Sequence, residues 1–199
     1  MEKLAYLLWD DVPSASALAG LARSVRVSPA ATDVQATLLM GLGPSLAGVL
    51  EVWVDSLDER SSLEALLPGR FDGYLVTESV PQQASDSPGL LTHFSWFPKP
   101  SRLTDEEFYR GWQEGHTPTT FALHPRRVGY VRDAVARVLT PGSPPVRAIV
   151  SEVFAPADYV DPARLFGSPE AVQRTVEELP SYGDSDDLSC RPLWRGAAT

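Results

Sequence analysis

The feature that most constrains this chain is that it nearly repeats itself. "LAYLLWDD" (4–11) and "LTHFSWFPK" (91–99) are each a short strand-like run with a tryptophan near its end. Further on, "GVLEVWVDSLDE" (48–59) and "AIVSEVFAPADY" (148–159) align Glu51 with Glu152 and Trp53 with Phe154. A repeat of this length sets the architecture before any single residue does. Trp9 and Trp96 stand 87 positions apart and Glu51 and Glu152 stand 101 apart. The second half therefore carries 14 more residues between its first and third strands, and they fall where "EEFYRGWQEGHTP" sits.

Periodicity and turn residues predict strands at 3–9, 34–40, 47–54 and 71–80, with helices at 14–25 and 57–67. The second half predicts strands at 90–97, 127–139, 146–154 and 188–194, with helices at 104–116 and 168–179. Each half reads β-α-β-β-α-β, the split arrangement of ferredoxin-like units. The fold class is α+β: a degenerate repeat over 1–80, a Pro/Ser/Asp-rich linker over 81–89, and a second repeat over 90–199. A unit with helices on one sheet face leaves the other bare, and packing two units sheet to sheet covers it.

Composition narrows the function classes. A chain of 199 residues can bury roughly 70% of its unfolded surface and needs no covalent staples. Its single cysteine, Cys190, excludes an internal disulfide framework and suits a reducing compartment. A formal charge of −9 argues against nucleic acid. The stretch 34–54 has the length of a membrane span. It contains Gln35, Pro44 and Glu51, and "GLGPS" (41–45) reads as a turn, so no membrane is implied and the chain reads as cytoplasmic.

The richest segment is "LTDEEFYRGWQEGHTP" (103–118). Thr104 and Glu107 form a capping box, and Asp105, Glu106 and Glu107 sit where the helix dipole favours anions. Phe108, Trp112 and His116 share one face at four-residue spacing, and Thr117-Pro118 is expected to end the helix. The two aromatics read first as core. His116, at the end of the stripe, reads either as an edge histidine or as an acid/base group.

Other polar groups stay open between readings. On the first strand of the second half, His93, Ser95 and Phe97 alternate with Thr92, Phe94 and Trp96, and either set could face a cavity. Tyr130 and Arg132 share a face and could hold an anionic or phenolic group, although for Arg132 a solvated strand end is the favoured reading. Glu152 sits between Val150 and Phe154, and its repeat partner Glu51 between Val49 and Trp53, which favours a structural pairing. His93, His116 and His124 lack metal-ligand spacing, the acidic loop 183–187 lacks a calcium loop's trailing glutamate, and Cys190 reads as an inert buried thiol.

Phe108, Trp112, His116 and Pro118, followed by Tyr130-Val131 and by Glu152, resemble the EthD family of the dimeric α/β-barrel superfamily. The resemblance covers residue 90 to about 195; the first half shares the element order but not the F-x3-W-x3-H pattern. It implies two facing ferredoxin-like sheets enclosing an apolar cavity, with both units here on one chain, as a pseudo-dimeric monomer or as a homodimer. It further implies one complete site per chain for a small hydrophobic, aromatic or polyketide-like ligand. His116 would be the acid/base and Tyr130 a donor to a developing oxyanion, with Trp112, Phe108, His93 and Arg132 binding substrate. The expected chemistry is of lyase, isomerase or cyclase type without a cofactor or metal. The alternatives are a non-catalytic binding protein and a haem protein with His116 as axial ligand.

Overall fold

The computed structural model describes residues 1–35, 45–85 and 87–199. Its strands are β1 (Glu2–Leu8), β2 (Ser24–Pro29), β3 (Gly48–Val54), β4 (Phe71–Gln82), β5 (Leu91–Pro98), β6 (Gly129–Val138), β7 (Val146–Phe154) and β8 (Ser189–Trp194). They form one antiparallel sheet in the order β2-β3-β1-β4-β6-β7-β5-β8. Within each block of four, the first strand lies between the third and fourth and the second is outermost. That is the ferredoxin-like order, met twice, with β4 and β6 joining the blocks through pairs such as Glu78↔Asp133.

The two outer strands then meet. Arg26 bridges Ala198 and Ala30 bridges Leu193, while Val25 and Thr199 exchange backbone hydrogen bonds of 3.0 Å. Gly196 permits this approach, since a Cβ there would lie 2.0 Å from the Val27 carbonyl oxygen. The chain is thus an α+β protein whose two units close an almost complete barrel by themselves.

The inner face of that barrel is packed. Ala5, Leu7, Val49, Tyr74, Val76, Phe94, Trp96, Val135 and Ile149 form one buried cluster drawn from both units, and Trp9 meets Trp96 edge-on at 6.2 Å. The two tryptophans that announce the repeat therefore touch each other. Beside them lies a buried ionic cluster: the Lys3 ammonium is 2.7 Å from Glu51, 2.5 Å from Glu78 and 2.8 Å from Asp133. Arg26 reaches Glu51 at 3.4 Å. Glu51 is thus structural, as its place in the repeat suggested.

The helical elements lie on the outer face. The first unit carries a 3-10 turn at Ala15–Leu18 and a short helix α1 (Arg60–Glu64). The second carries α2 (Asp105–Tyr109), a π-helical segment (Arg110–His116), α3 (Thr117–Leu123), α4 (Pro156–Tyr159), α5 (Pro162–Phe166) and α6 (Pro169–Glu178). Among the described residues, no helix is long and apolar enough to cross a membrane.

Several local expectations are to be set against the described residues. The helix expected over 14–25 shrinks to one 3-10 turn, because "SVRVSP" pairs with β3 as β2 and places Val25 opposite Val52. The strand expected at 34–40 lies largely outside the described residues, and Val34 and Gln35 are not in a strand. The helix from Thr104 does not stop before Pro118. The π-helical segment widens the turn, Pro118 enters in the first turn of α3, and the Gln113 carbonyl accepts from Arg132. Asp105 to Leu123 is one continuous helical run, so His116 stands inside it and not at a helix C-terminus. The linker expected from residue 81 also begins as strand: β4 runs to Gln82, with Pro81 inside a register shift where no ladder N–H is required.

Candidate functional site

Among the described residues, core side chains and ion pairs pack the space between the facing sheets, where the cavity was expected. A cavity of about 230 Å³ lies on the opposite face, between the β5–β8 half of the sheet and the helices above it. In the first unit the equivalent space is filled by Leu4, Tyr6, Leu8, Leu18, Leu50 and Leu63. This settles the alternation on β5: His93, Ser95 and Phe97 face the cavity, and Phe94 and Trp96 face the barrel core.

The floor is a row of polar residues in register. Tyr130 of β6 lies opposite Glu152 of β7, and Glu152 lies opposite His93 of β5. Neighbouring strands present register partners on one face, which sets the three side chains next to one another. Behind them Arg127 binds Glu152 Oε1 and donates to Thr120 Oγ1 at 3.0 Å, and its guanidinium stacks over Tyr130 at 4.2 Å. Burial opposes the Glu152 charge, but near pH 2, where both histidines are protonated, His124, Arg127 and His93 outweigh it and hold the carboxyl at about 2. Burial and the Glu152 charge push the Tyr130 phenol up to about 12, so it stays a neutral donor.

His93 Nδ1 lies 3.0 Å from the Tyr159 hydroxyl. Burial alone would disfavour its charged form; Tyr159, Cys190 and Glu152 together raise its pKa well above the ordinary histidine value. His124 Nδ1 faces the Leu165 carbonyl at 3.0 Å and must donate to it. Burial lowers the His124 pKa despite the nearby Glu152, leaving a neutral imidazole.

The roof comes from the helical run and from α6. Trp112 is 1% exposed and lines the cavity. Phe108 lies one turn earlier, packed between Phe97 and Trp112, and does not reach the cavity wall; it is core. Arg132 also stays off the wall. It turns under the π-helical segment, donating to the Gln113 carbonyl at 3.1 Å, to Thr117 Oγ1 at 2.6 Å and to Ser79 Oγ at 3.1 Å. Its part is to satisfy a backbone carbonyl in the widened turn.

His116 lines the cavity, with Nδ1 3.2 Å from Glu178 Oε2 at the end of α6 and its ring 4.7 Å from the Tyr182 ring. The turn that carries Tyr182 comes this close because residue 111 is glycine: a Cβ there would lie 2.2 Å from the Ser181 carbonyl oxygen. Glu178 and Tyr182 escaped the sequence reading because their contact with His116 spans more than sixty residues. The available signal was the helix of 168–179 ending on a carboxylate.

The metal question has a local answer. Glu51, Glu78 and Asp133 bring carboxylate oxygens within 4.8 Å of one another, but on the barrel's inner face, and the Lys3 ammonium already binds all three.

No family model matches the chain, and no curated protein matches it. Solved structures do. An anthrone oxidase-like protein superposes with a TM-score of 0.60 at 12% identity, covering 100% of this chain and 92% of its own. A protein from Fusobacterium nucleatum subsp. nucleatum, provisionally named a monooxygenase, superposes with a TM-score of 0.57 at 9% identity, covering 99% and 92%. At such identities the likeness is one of fold, and what it establishes is the dimeric α/β-barrel type of architecture assembled within a single chain.

Proposed function

We propose that the chain is an enzyme of acid/base type that acts on a small aromatic or polyketide-like compound in the cavity under Trp112. One observation carries this reading: a histidine on the wall of an apolar cavity has its inner ring nitrogen 3.2 Å from a carboxylate. Glu178 accepts from Nδ1–H, which fixes the tautomer and leaves the Nε2 lone pair for the cavity. A proton from an activated C–H or O–H passes to Nε2, and the charge left on the substrate moves to an oxygen. Tyr130 supplies a hydrogen bond to that oxygen. The imidazolium then returns the proton elsewhere, which completes an isomerisation or a cyclisation.

The cavity volume supports a compact ligand and not a haem. Pockets for drug-sized ligands run from roughly 300 to 1,000 Å³, and this one is about 230 Å³. With His116 also engaged to Glu178, no cofactor enters the proposal. The chain acts as a monomer in this reading, since its two units close the barrel and its own residues line the cavity. Membership of the EthD family belongs to the same proposal, resting on Phe108, Trp112, His116 and Pro118.

A second reading follows from the names of the structural neighbours, an anthrone oxidase-like protein and a provisionally named monooxygenase. Here the deprotonated substrate reacts with dioxygen in place of a proton. A binding protein without turnover would need neither step.

The test is hydrogen–deuterium exchange at the ring carbon between the hydroxyls of 1,3-dihydroxynaphthalene, followed by NMR, beside an oxygen electrode. The protein accelerates exchange, and His116→Ala lowers the protein-dependent rate by about 100-fold or more. Oxygen uptake with the same probe selects the oxidative reading. An unchanged rate in a folded His116→Ala overturns both.

A further inference from the structure

The polar groups of the cavity fall into two sets. His116 and Glu178 belong to the helical roof. The second set, on the floor and at the C-terminal cap of α3, plays no part in the proton transfer proposed above apart from Tyr130. Within it Glu152 and His124 are each 9% exposed, and both line the cavity.

Each of these two residues spends one polar atom on the protein. Glu152 Oε1 is held by Arg127, and His124 Nδ1 donates to the Leu165 carbonyl. Among the described residues, no hydrogen bond is made by Glu152 Oε2 or His124 Nε2, and both side chains line the cavity. Both are acceptors: a carboxylate oxygen, and the lone-pair nitrogen of an imidazole whose other nitrogen carries the hydrogen. Two acceptors on the wall of one cavity are matched by a ligand that brings a donor to each, because an unpaired acceptor costs free energy when water leaves.

We propose that Glu152 Oε2 accepts from a neutral hydroxyl of the substrate, phenolic or enolic, and that His124 Nε2 accepts from a second donor on the same ring system, which anchors one end of it while another part faces His116. The charge pattern selects a hydroxyl over an ammonium. Arg127 already neutralises Glu152, and His93 adds a second cationic group beside it, so an incoming cation meets repulsion. The apolar surroundings, Phe154, Leu165 and Phe166, suit the ring that carries the hydroxyl.

This inference deepens the acid/base reading but is tested separately, by binding alone. Equilibrium dialysis compares 1-naphthol with 1-methylnaphthalene, which replaces the hydroxyl by a methyl of similar size. The wild-type protein binds 1-naphthol about 10- to 100-fold more tightly, as a hydrogen bond to a charged acceptor warrants. In Glu152→Gln, Arg127 keeps the side-chain carbonyl and the amide NH2 turns to the cavity. An acceptor becomes a donor and the preference collapses. His116→Ala retains the preference, so a failed acid/base reading and a failed subsite are distinguishable. Equal affinity for the two compounds in the wild-type protein overturns the proposal, as does an undiminished preference in a folded Glu152→Gln. Should that variant not fold, the wild-type comparison decides alone.

Discussion

The Lys3 ammonium sits 2.8 Å from Asp133 Oδ2, joining the first strand of one ferredoxin-like unit to the second strand of the other inside the barrel. Lys3 also binds Glu51 and Glu78, and its ammonium lies 5.0 Å from the Trp53 ring. Removing the cation strands buried carboxylates. Lys3→Met should therefore cost about 3–5 kcal/mol, the range for breaking a buried ion pair from one side. Urea denaturation at neutral pH checks this, and a loss below about 1 kcal/mol would mean that the cluster relaxes to water.

The same cluster should leave a signature in pH. Burial, with Glu51 and Glu78 alongside, raises Asp133 from 3.8 to about 7 despite the pull of Lys3. Its native form holds a proton that the unfolded chain releases near 3.8, so this group's contribution to stability falls as pH rises from about 4 to about 7. Glu51 has the opposite sign: held at about 2 by Lys3 and Arg26 against its burial, it loses its contribution as pH falls through that value. Asp133→Asn keeps the shape and removes the titration. Its unfolding free energy, compared with wild type between pH 5 and pH 8, should lack the downward slope due to this residue.

Local signals were legible in the sequence and paired ones were not. The Thr104–Glu107 capping box is as read, with Thr104 Oγ1 accepting from the Glu107 N–H at 3.2 Å, because both partners lie within one turn. The repeat gave the order of the units because Glu51 and Glu152 sit at matching points of β3 and β7. Both glutamates are paired, as that match suggested, but they face opposite sides of the sheet, one meeting Lys3 in the core and the other Arg127 under the cavity. β2 was hidden because "SASALAGLARSV" carries helix-favouring residues, and only pairing with β3 makes Val25 and Val27 a strand. Pro118 signalled a break that the π-helical segment absorbs, and no periodicity announces such a segment.

Gly111 offers a test of how the roof is held. In an ordinary exposed helix, Gly→Ala gains about 1 kcal/mol. Here the new Cβ would lie 2.2 Å from the Ser181 carbonyl oxygen, a backbone atom that cannot swing aside. Gly111→Ala should therefore destabilise by about 1–3 kcal/mol, the usual range for overpacking. It should also loosen Tyr182 from His116 and weaken 1-naphthol binding. Thermal melts with dialysis measure both, and a raised melting temperature would refute the close approach.

Arg132 separates a binding role from a supporting one. The sequence offered it as an anion-binding partner of Tyr130, yet its guanidinium serves Gln113, Thr117 and Ser79. Arg132→Met leaves the Gln113 carbonyl without this donor and unties the π-helical segment from β4. The expected loss is about 1–3 kcal/mol of stability, together with faster amide exchange over 110–117. Loss of ligand affinity without either change would return Arg132 to the binding site.

Glu178→Gln tests whether the His116–Glu178 contact is chemical or merely supportive. The Glu178 side chain is 26% exposed, so its partnership with His116 adds little to folding, as for other solvent-reached pairs. Glutamine can still accept from Nδ1–H through its carbonyl oxygen, which preserves the ring's orientation and tautomer. What it cannot do is stabilise the imidazolium that forms when Nε2 takes a proton. The variant should melt within a few degrees of wild type and bind 1-naphthol with similar affinity. Its exchange rate with 1,3-dihydroxynaphthalene should fall about 10- to 100-fold. A purely structural contact would reverse that pattern: stability would drop, and the exchange rate per folded molecule would stay where it was.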